Sequence, residues 1–381
     1  MTTDSKNTMK NKLIISLAVV VIVVVLILEL SSRGTSSSVQ IGGLYPLTGG
    51  LASYGEPAHN TALIAIDDIN AAGGINGKKF ELVSEDHKCD PKTAASAFQK
   101  LVSTNGIKVL TTVACSGTVS AMAPNLATNN VVLLGTVTSA DKLTAISPNF
   151  FRNWASDGQE AKLLADRAIA QGYKSIAVIY EDTDYAKGLE MSLVKDLANS
   201  GVKITSESFA SGATDVRTQL TKLQTTNADV VFVSVQTVPS GETVLTQMEQ
   251  LGFKPKTMFV NDNILKAASL LKNHTALLEG AVGGDYVFQA SAELNAVLSK
   301  YKTKYDTDCP QINICAAEYD AIQMLANAIR ANGDSASGVK TYLSQTNYSG
   351  VSGSISFDQN NDRSNAHYSL FKITNGIASK I

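Results

Sequence analysis

Six side chains that could hold a small polar ligand each follow a predicted strand of this 381-residue chain. They offer hydroxyl, phenol, amide and carboxylate groups, which donate and accept hydrogen bonds. Ligands of parallel sheets bind beyond the carboxyl ends of the strands, so we expect these side chains to share one site. The six residues are Tyr54, Ser116, Ser139, Tyr185, Gln236 and Asp262.

These residue types form no recognisable catalytic pattern. The four histidines are scattered along the sequence, and neither an HExxH motif nor a Gly-x-Ser-x-Gly motif occurs. A metal site built from His87, Cys89 and Asp90 is an alternative, but its spacing matches no zinc pattern. We therefore predict a binding protein that is not an enzyme and that needs no cofactor.

Strands and helices alternate along the chain and must position these residues. Short apolar runs such as Val109–Val113 and Val230–Val235 are typical of strands that are buried on both faces. A helix predicted over 160–171 has Leu164 and several alanines on one apolar face. The alternation predicts an α/β fold in which helices cover parallel sheets.

The number of strand–helix units predicts two doubly wound parallel-sheet lobes with a ligand cleft between them. The chain is expected to cross between lobes near Trp154, whose expected role is core packing, and to cross back over 280–288. The predicted division is 38–155 plus 285–352 for lobe 1 and 156–284 plus 353–381 for lobe 2.

The N-terminus contains an apolar segment, 13–30, with the sequence LIISLAVVVIVVVLILEL. Three lysines precede it, and the positive-inside rule then places residues 1–12 in the cytoplasm. We predict a single transmembrane anchor at 13–30, a polar linker at 31–37 and a body on the extracellular face of the membrane. Cleavage as a signal peptide is the alternative, although no A-x-A site follows the apolar run.

The charge pattern argues against a nucleic-acid partner. The chain has 32 basic and 34 acidic side chains, a net charge of -2, and only 17% charged residues. Nucleic-acid binding would require a stripe of basic residues, and the basic residues of this chain form none. We expect the body to be a monomer or a weak dimer.

Four cysteines fit an exported body, because disulfide bonds persist outside the cell. They permit three pairings, and Cys89–Cys115 with Cys309–Cys315 is the most local of these.

Five segments together resemble type I periplasmic solute-binding proteins, specifically the leucine/isoleucine/valine-binding receptors of ABC transporters. The resemblance covers about residues 38 to 376 and implies a two-lobed receptor that closes on its ligand. It also implies the Cys89–Cys115 bond, whereas Cys309–Cys315 rests on spacing alone. The segments are YPLTGGLASYG (45–55), INAAGGINGKKFELVSEDHKCDP (69–91), FRNWASDGQEA (151–161), AAEYDAIQMLANAI (316–329) and SGVSGSISFDQNNDRSNAHYSLFKI (349–373).

In lobe 1 the resemblance implies a wall that binds the ligand carboxylate. Ser116 would use its hydroxyl and nearby backbone N–H groups at the start of a helix, although a plain helix cap is the alternative. Ser139 would add a second hydroxyl, with Thr138 as the substitute if the register slips, and Val137 would expose backbone. Tyr54, expected in the loop after the first strand, would form a wall of the side-chain pocket.

In lobe 2 the resemblance implies a cover and an ammonium subsite. The ring of Tyr185 would cover the ligand. Asp262 is the candidate partner for a ligand ammonium, because a buried charge needs a paired charge. If the acid of the relatives aligns with Asn263 instead, that ion pair is lost. Gln236 and Thr237 stand where relatives have an aromatic residue, which makes this wall more polar.

These features predict an extracellular receptor of an ABC importer that binds a small, branched-chain-like amino acid or a related polar metabolite. Its partners would be the small-molecule ligand and the permease subunits. A ligand-sensing ectodomain of a membrane signalling complex is the alternative. A transcription regulator of the same fold is excluded, since no helix-turn-helix precedes residue 38.

Overall fold

A computed structural model describes residues 38–287 and 291–381. The cytoplasmic stretch, the apolar segment and the linker predicted over residues 1–37 lie outside this part of the chain. Across the described residues, no helix has both the length and the apolar character needed to cross a membrane.

The first part of the chain builds a five-stranded parallel sheet. Its elements are β1 (Val39–Tyr45), α1 (Ala52–Ala71), β2 (Phe80–Asp86), α2 (Pro91–Gln99), β3 (Val109–Val113), α3 (Ser116–Thr128), β4 (Val132–Thr136) and β5 (Phe150–Arg152). The strand order is β2-β1-β3-β4-β5. Strands β3 and β4 are buried along their whole length, as expected for mainly apolar strands that are covered on both faces.

The second part of the chain again alternates helices and strands. Its elements are α4 (Asp157–Ala170), β6 (Ser175–Glu181), α5 (Asp184–Leu197), β7 (Lys203–Phe209), α6 (Arg217–Gln224), β8 (Val230–Ser234), α7 (Val238–Gln250), β9 (Met258–Val260), α8 (Asp262–Lys266), α9 (Ala268–Asn273), α10 (Thr275–Leu278) and β10 (Val282–Val287). Its parallel strands follow the order β10-β9-β8-β6-β7.

The last part of the chain returns to the first lobe and then completes the second sheet. Its elements are α11 (Ala292–Tyr305), α12 (Ile312–Asn332), α13 (Ala336–Gln345), β11 (Tyr348–Gly350), β12 (Gly353–Ile355), β13 (His367–Thr374) and β14 (Ile377–Lys380). Strand β13 pairs antiparallel with β10, and β14 pairs antiparallel with β13. The α/β class with parallel sheets is therefore confirmed.

The two later crossings between lobes lie further along the chain than the sequence suggested. Strand β10 pairs with β13 as far as Val287, so the second sheet extends beyond residue 284. Ile355 of β12 is fully buried in the same core as Ile41 of β1, so residues just after 352 still pack on lobe 1. Trp154 is buried beside the first crossing, and its ring lies 4.2 Å from that of Tyr286 in β10.

Both lobes bury helices on each face of their sheet. In lobe 1, Ala58, Ala62 and Ala65 of α1 are fully buried, and these small side chains let α12 pack closely beside α1. Helices α2 and α3 cover the opposite face of the same sheet. The sheets therefore expose chiefly the loops at their strand ends, where ligands of doubly wound folds bind.

Both disulfide bonds of the most local pairing are formed. Cys89 and Cys115 have Cα atoms 5.4 Å apart, and Cys309 and Cys315 have Cα atoms 6.8 Å apart. The described residues contain no cluster of acidic, histidine and cysteine side chains that could hold a metal ion. The alternative site at His87, Cys89 and Asp90 also loses its thiolate, because Cys89 is in a disulfide.

We expect the two disulfides to contribute unequally to stability. Cys89–Cys115 closes a loop with a sequence separation of 26, against 6 for Cys309–Cys315. Chain entropy then predicts that the Cys89→Ser/Cys115→Ser variant loses about 3.5 kcal/mol of unfolding free energy, against about 2 kcal/mol for Cys309→Ser/Cys315→Ser. Urea denaturation of both variants measures these losses. A larger loss from the second variant would contradict the prediction.

Candidate functional site

The structure brings all eight predicted ligand-binding residues around one small cavity between the lobes. The cavity has a volume of about 30 Å³. It lies beyond the carboxyl ends of β3, β4, β6, β8 and β9, which belong to both sheets. Its lining residues are Leu51, Tyr54, Ala114, Cys115, Ser116, Val137, Ser139, Tyr185, Gln236, Asp262 and Asn263.

The lobe 1 wall is formed by two turns with unusual backbone conformations. Ala114 and Cys115 have φ angles of 59°, and so does Val137. A β-branched residue is rarely found in this left-handed region, and such strain is concentrated at ligand sites. Ser116 is the first residue of α3, and its Oγ accepts a hydrogen bond from the backbone N–H of Ala140 at 3.1 Å. The two turns are thereby joined.

Arg152 fixes the turn that carries Ser139. Its buried guanidinium donates from Nη1 to the carbonyl oxygens of Ser139 and Ala140, each at 3.0 Å. Its Nε donates to Oδ1 of Asp362 at 2.8 Å, so the turn before β13 balances the charge. This pair could not be predicted from the sequence, because 210 residues separate its members.

Tyr54 lies in the first turn of α1. The prediction that it lies in the loop after the first strand is therefore wrong. Gly55 allows this early helix start, since a Cβ there would lie 2.2 Å from the carbonyl oxygen of Pro46. The buried Tyr54 hydroxyl donates to Oδ1 of Asn263 at 2.9 Å. This hydrogen bond joins lobe 1 to lobe 2.

The lobe 2 wall contains a connected set of polar side chains. Tyr185 donates its hydroxyl to Oδ1 of Asp262 at 2.5 Å and accepts from Nδ2 of Asn261 at 2.7 Å. Burial, followed by the negative charge of Asp262, raises the pKa of Tyr185 well above its usual value. Tyr185 is therefore a neutral donor. Asn263 donates from Nδ2 to the carbonyl oxygen of Gln236 at 3.0 Å.

Lys266 forms an ion pair with the second carboxylate oxygen of Asp262. Its Nζ lies 2.7 Å from Oδ2 of Asp262 and 3.2 Å from Oδ1 of Asp285 in β10. Burial alone would lower the pKa of Lys266, but the two carboxylates raise it well above its usual value. The lysine is therefore a permanent cation inside the cleft. The i,i+4 spacing of Asp262 and Lys266 was the only sequence signal for it.

Gln236 contacts the opposite lobe, and Thr237 has a local role. The Gln236 side chain donates from Nε2 to Sγ of Cys89 at 2.8 Å, while its backbone N–H donates to Oε2 of Glu181 at 2.8 Å. The Thr237 hydroxyl caps α7 by accepting from the backbone N–H of Ser240. Thr237 is therefore a capping residue, whereas Gln236 lines the cavity.

Two further acids lie buried behind the lobe 2 wall. Asp157 accepts a hydrogen bond from the Tyr368 hydroxyl at 2.9 Å, and its Oδ2 has no partner within the described part of the chain. Burial, with the negative charge of Asp262, raises the pKa of Asp157 to about 7. The same causes raise the pKa of Glu160 well above its usual value. Neither acid could be predicted from the sequence, because their burial depends on the tertiary packing of α4.

The sequence model of one protein family, described as periplasmic binding protein, matches residues 38–377. The chain belongs to the periplasmic binding protein family. A leucine-, isoleucine-, valine-, threonine- and alanine-binding protein of Pseudomonas aeruginosa is 25% identical over 363 residues, which cover 88% of this chain and 90% of the relative.

Two solved structures show the same fold. A branched-chain amino acid transporter substrate-binding protein of Streptococcus pneumoniae, in complex with isoleucine, has a TM-score of 0.72 and 24% identity, and the match covers 91% of this chain and all of that one. A solute-binding protein of R. palustris in complex with benzoate has a TM-score of 0.76 and 16% identity, and the match covers 91% and 96%.

These comparisons confirm a type I periplasmic binding protein of the branched-chain amino acid group. The family consists of solute-binding proteins of transporters, and its members are not enzymes. The prediction that the chain is not an enzyme is therefore confirmed, and the family places the body outside the cytoplasm.

We expect Asp157 to make the fold less stable as pH rises. Its pKa is raised from 3.8 to about 7 in the folded chain. Its contribution to the free energy of unfolding is therefore complete at low pH and is lost as pH rises through that interval. The Asp157→Asn variant keeps an acceptor for Tyr368 but binds no proton. From about pH 5 to pH 8, the free energy of unfolding should fall in both proteins, and the fall should be smaller in Asp157→Asn by roughly 2–3 kcal/mol.

Urea denaturation at both pH values measures this difference. The Asp334→Asn variant changes an exposed aspartate and serves as the control. Equal pH dependence in wild type and Asp157→Asn would show that Asp157 is ionised in the folded chain across this range.

Proposed function

We propose that the chain is the extracytoplasmic receptor of an ABC importer and that it binds a small carboxylate-bearing solute, an amino acid or a related metabolite, by closure of its two lobes. The observation that carries this proposal is the shared cavity, since Ser116 and Ser139 of lobe 1 face Tyr185 and Asp262 of lobe 2 across it. A ligand in this position would contact both lobes at once.

The ligand carboxylate would bind at the lobe 1 wall. Ser116 begins the 13-residue helix α3, and the amino end of a helix favours a negative charge. The Ser116 Oγ accepts from Ala140, which leaves its hydroxyl proton to donate to an anion. Ser139, held by Arg152, would provide the second hydroxyl.

The contacts that join the lobes without ligand are few and weak. Among the described residues, these contacts include the hydrogen bonds Tyr54–Asn263 and Gln236–Cys89 and the surface ion pairs Lys142–Asp184 at 2.7 Å and Lys195–Asp141 at 3.6 Å. A neutral hydrogen bond contributes about 1 kcal/mol and an exposed ion pair about 0–1 kcal/mol. A ligand that bridges the lobes would therefore shift the population strongly towards closure.

The small size of the cavity supports a model in which the ligand enters while the two lobes are apart. A volume of about 30 Å³ accommodates little more than one water molecule, so no amino acid fits without movement of the walls. A wider groove of about 690 Å³ shares Leu51, Cys115 and Gln236 with the cavity and leads to the surface between the lobes. This groove would be the route of entry.

The membrane context follows from the sequence. Residues 13–30 would anchor the receptor, and the polar segment 31–37 would connect this anchor to the body that meets the permease. We expect the receptor to act as a monomer that presents its closed, ligand-bound state to the permease.

A ligand screen tests this function directly. Thermal denaturation of the full-length chain is measured with amino acids, their amides and small aliphatic or aromatic carboxylates. We expect at least one carboxylate to raise the melting temperature, and Ser116→Ala to weaken its binding about tenfold, because one anion hydrogen bond is lost.

The control variant is Ser96→Ala, which alters an exposed hydroxyl on α2 away from the cavity. It should bind like the wild type. If no compound stabilises the chain, or if Ser116→Ala binds the ligand as tightly as the wild type, the proposed site is wrong.

A further inference from the structure

Lys266 lies where a positively charged ligand group would be expected. An α-ammonium group in the cleft would need a carboxylate partner, since a buried unpaired charge is costly. The candidate partner, Asp262, already has a bond to each oxygen: Tyr185 donates to Oδ1 at 2.5 Å and Lys266 lies 2.7 Å from Oδ2. The chain therefore provides its own cation for this carboxylate.

The lysine is fixed in this position from several sides. It is four residues from Asp262 at the other end of the short helix α8, and Asp285 of β10 lies 3.2 Å from its Nζ. Only 19% of its side chain is exposed. A ligand ammonium that displaced it from Asp262 would leave the buried lysine with Asp285 alone, so the ligand competes with Lys266 at a disadvantage.

The neighbouring carboxylates offer no equivalent substitute. Asp285 is shared with the same lysine, and burial raises its pKa above the usual value. Asp157 and Glu160 lie behind the wall, and burial raises the pKa of both groups, which favours their neutral forms. Asn263 is uncharged, and its side-chain oxygen already accepts from Tyr54.

Lys266 itself lines a second cavity, of about 250 Å³, next to the first. The two cavities share Tyr54 and Val137 as lining residues, and the second is bounded by Trp154 and by residues 310–314, within the loop closed by the Cys309–Cys315 disulfide. A ligand whose carboxylate lies at Ser116 could extend its body past Tyr54 into this space. The apolar parts of Val137 and Trp154 would contact that body.

We propose that Lys266 is a specificity-determining residue that takes the place of a ligand ammonium group, so that the receptor selects small carboxylates without an α-ammonium group. This inference rests on the proposed function and names the substrate class of the same site. Ligands of this class are aliphatic or aromatic acids whose carboxylate binds in lobe 1 and whose uncharged body lies beside Lys266.

Calorimetric titration with two matched probes tests the proposal. Leucine and 4-methylpentanoate share one carbon skeleton and differ only in the α-ammonium group. The full-length wild-type chain should bind 4-methylpentanoate at least tenfold more tightly than leucine. Lys266→Met should lower this preference at least tenfold, because Asp262 and Asp285 become available to an ammonium group. Lys266→Arg should retain it.

The exposed Lys272→Met variant on α9 is the control and should keep the wild-type preference. Wild-type binding of leucine that equals or exceeds binding of 4-methylpentanoate overturns the inference, and so does an unchanged preference in Lys266→Met. If wild type binds neither probe and Lys266→Met gains no affinity for leucine, the inference also fails. Failure of the proposed function is a separate result, in which no compound of the wider screen binds.

Discussion

The carboxylate of Asp262 imposes the constraint on which the cleft depends. An ionised acid that is buried between two lobes must be paired and hydrogen-bonded, or it would destabilise the fold. Tyr185 and Lys266 meet this requirement from within lobe 2. Asn261 in turn fixes Tyr185, and Asp285 fixes Lys266. Four polar side chains of this wall are therefore linked to that one charge.

The lobe 1 wall on the other side of the cavity contains strained backbone conformations, which the surrounding bonds stabilise. Ala114, Cys115 and Val137 adopt left-handed conformations that these residues rarely take. The Cys89–Cys115 disulfide holds one turn, and Arg152 holds the other through its bonds to Ser139 and Ala140. The backbone turns that carry Ser116 and Ser139 are therefore held in place, which would reduce the entropy lost on binding.

Val137 and Asn263 were predicted only from the resemblance to solute-binding proteins, but the fold class and several other cleft residues could be predicted for one physical reason. Parallel strands have their carboxyl ends at one edge of a sheet, so residues directly after strands, such as Ser116 and Asp262, converge without knowledge of the packing. The missed features depend on contacts between distant segments. Arg152 and Asp362 are 210 residues apart. The second ion pair of Lys266 forms only because β10 places Asp285 beside it. The prediction of Tyr54 in a loop was wrong because Gly55 lets α1 begin early, against Pro46.

The central claim is that a ligand between the lobes stabilises their closed arrangement. All four cysteines are in disulfide bonds, so Lys92→Cys on α2 and Lys187→Cys on α5 would place one spin label on each lobe. Pulsed electron–electron double resonance then measures the distance between the labels. We expect a broad distribution of distances without ligand and a shorter, narrower one at saturating ligand. An unchanged distribution at saturating ligand would contradict this expectation.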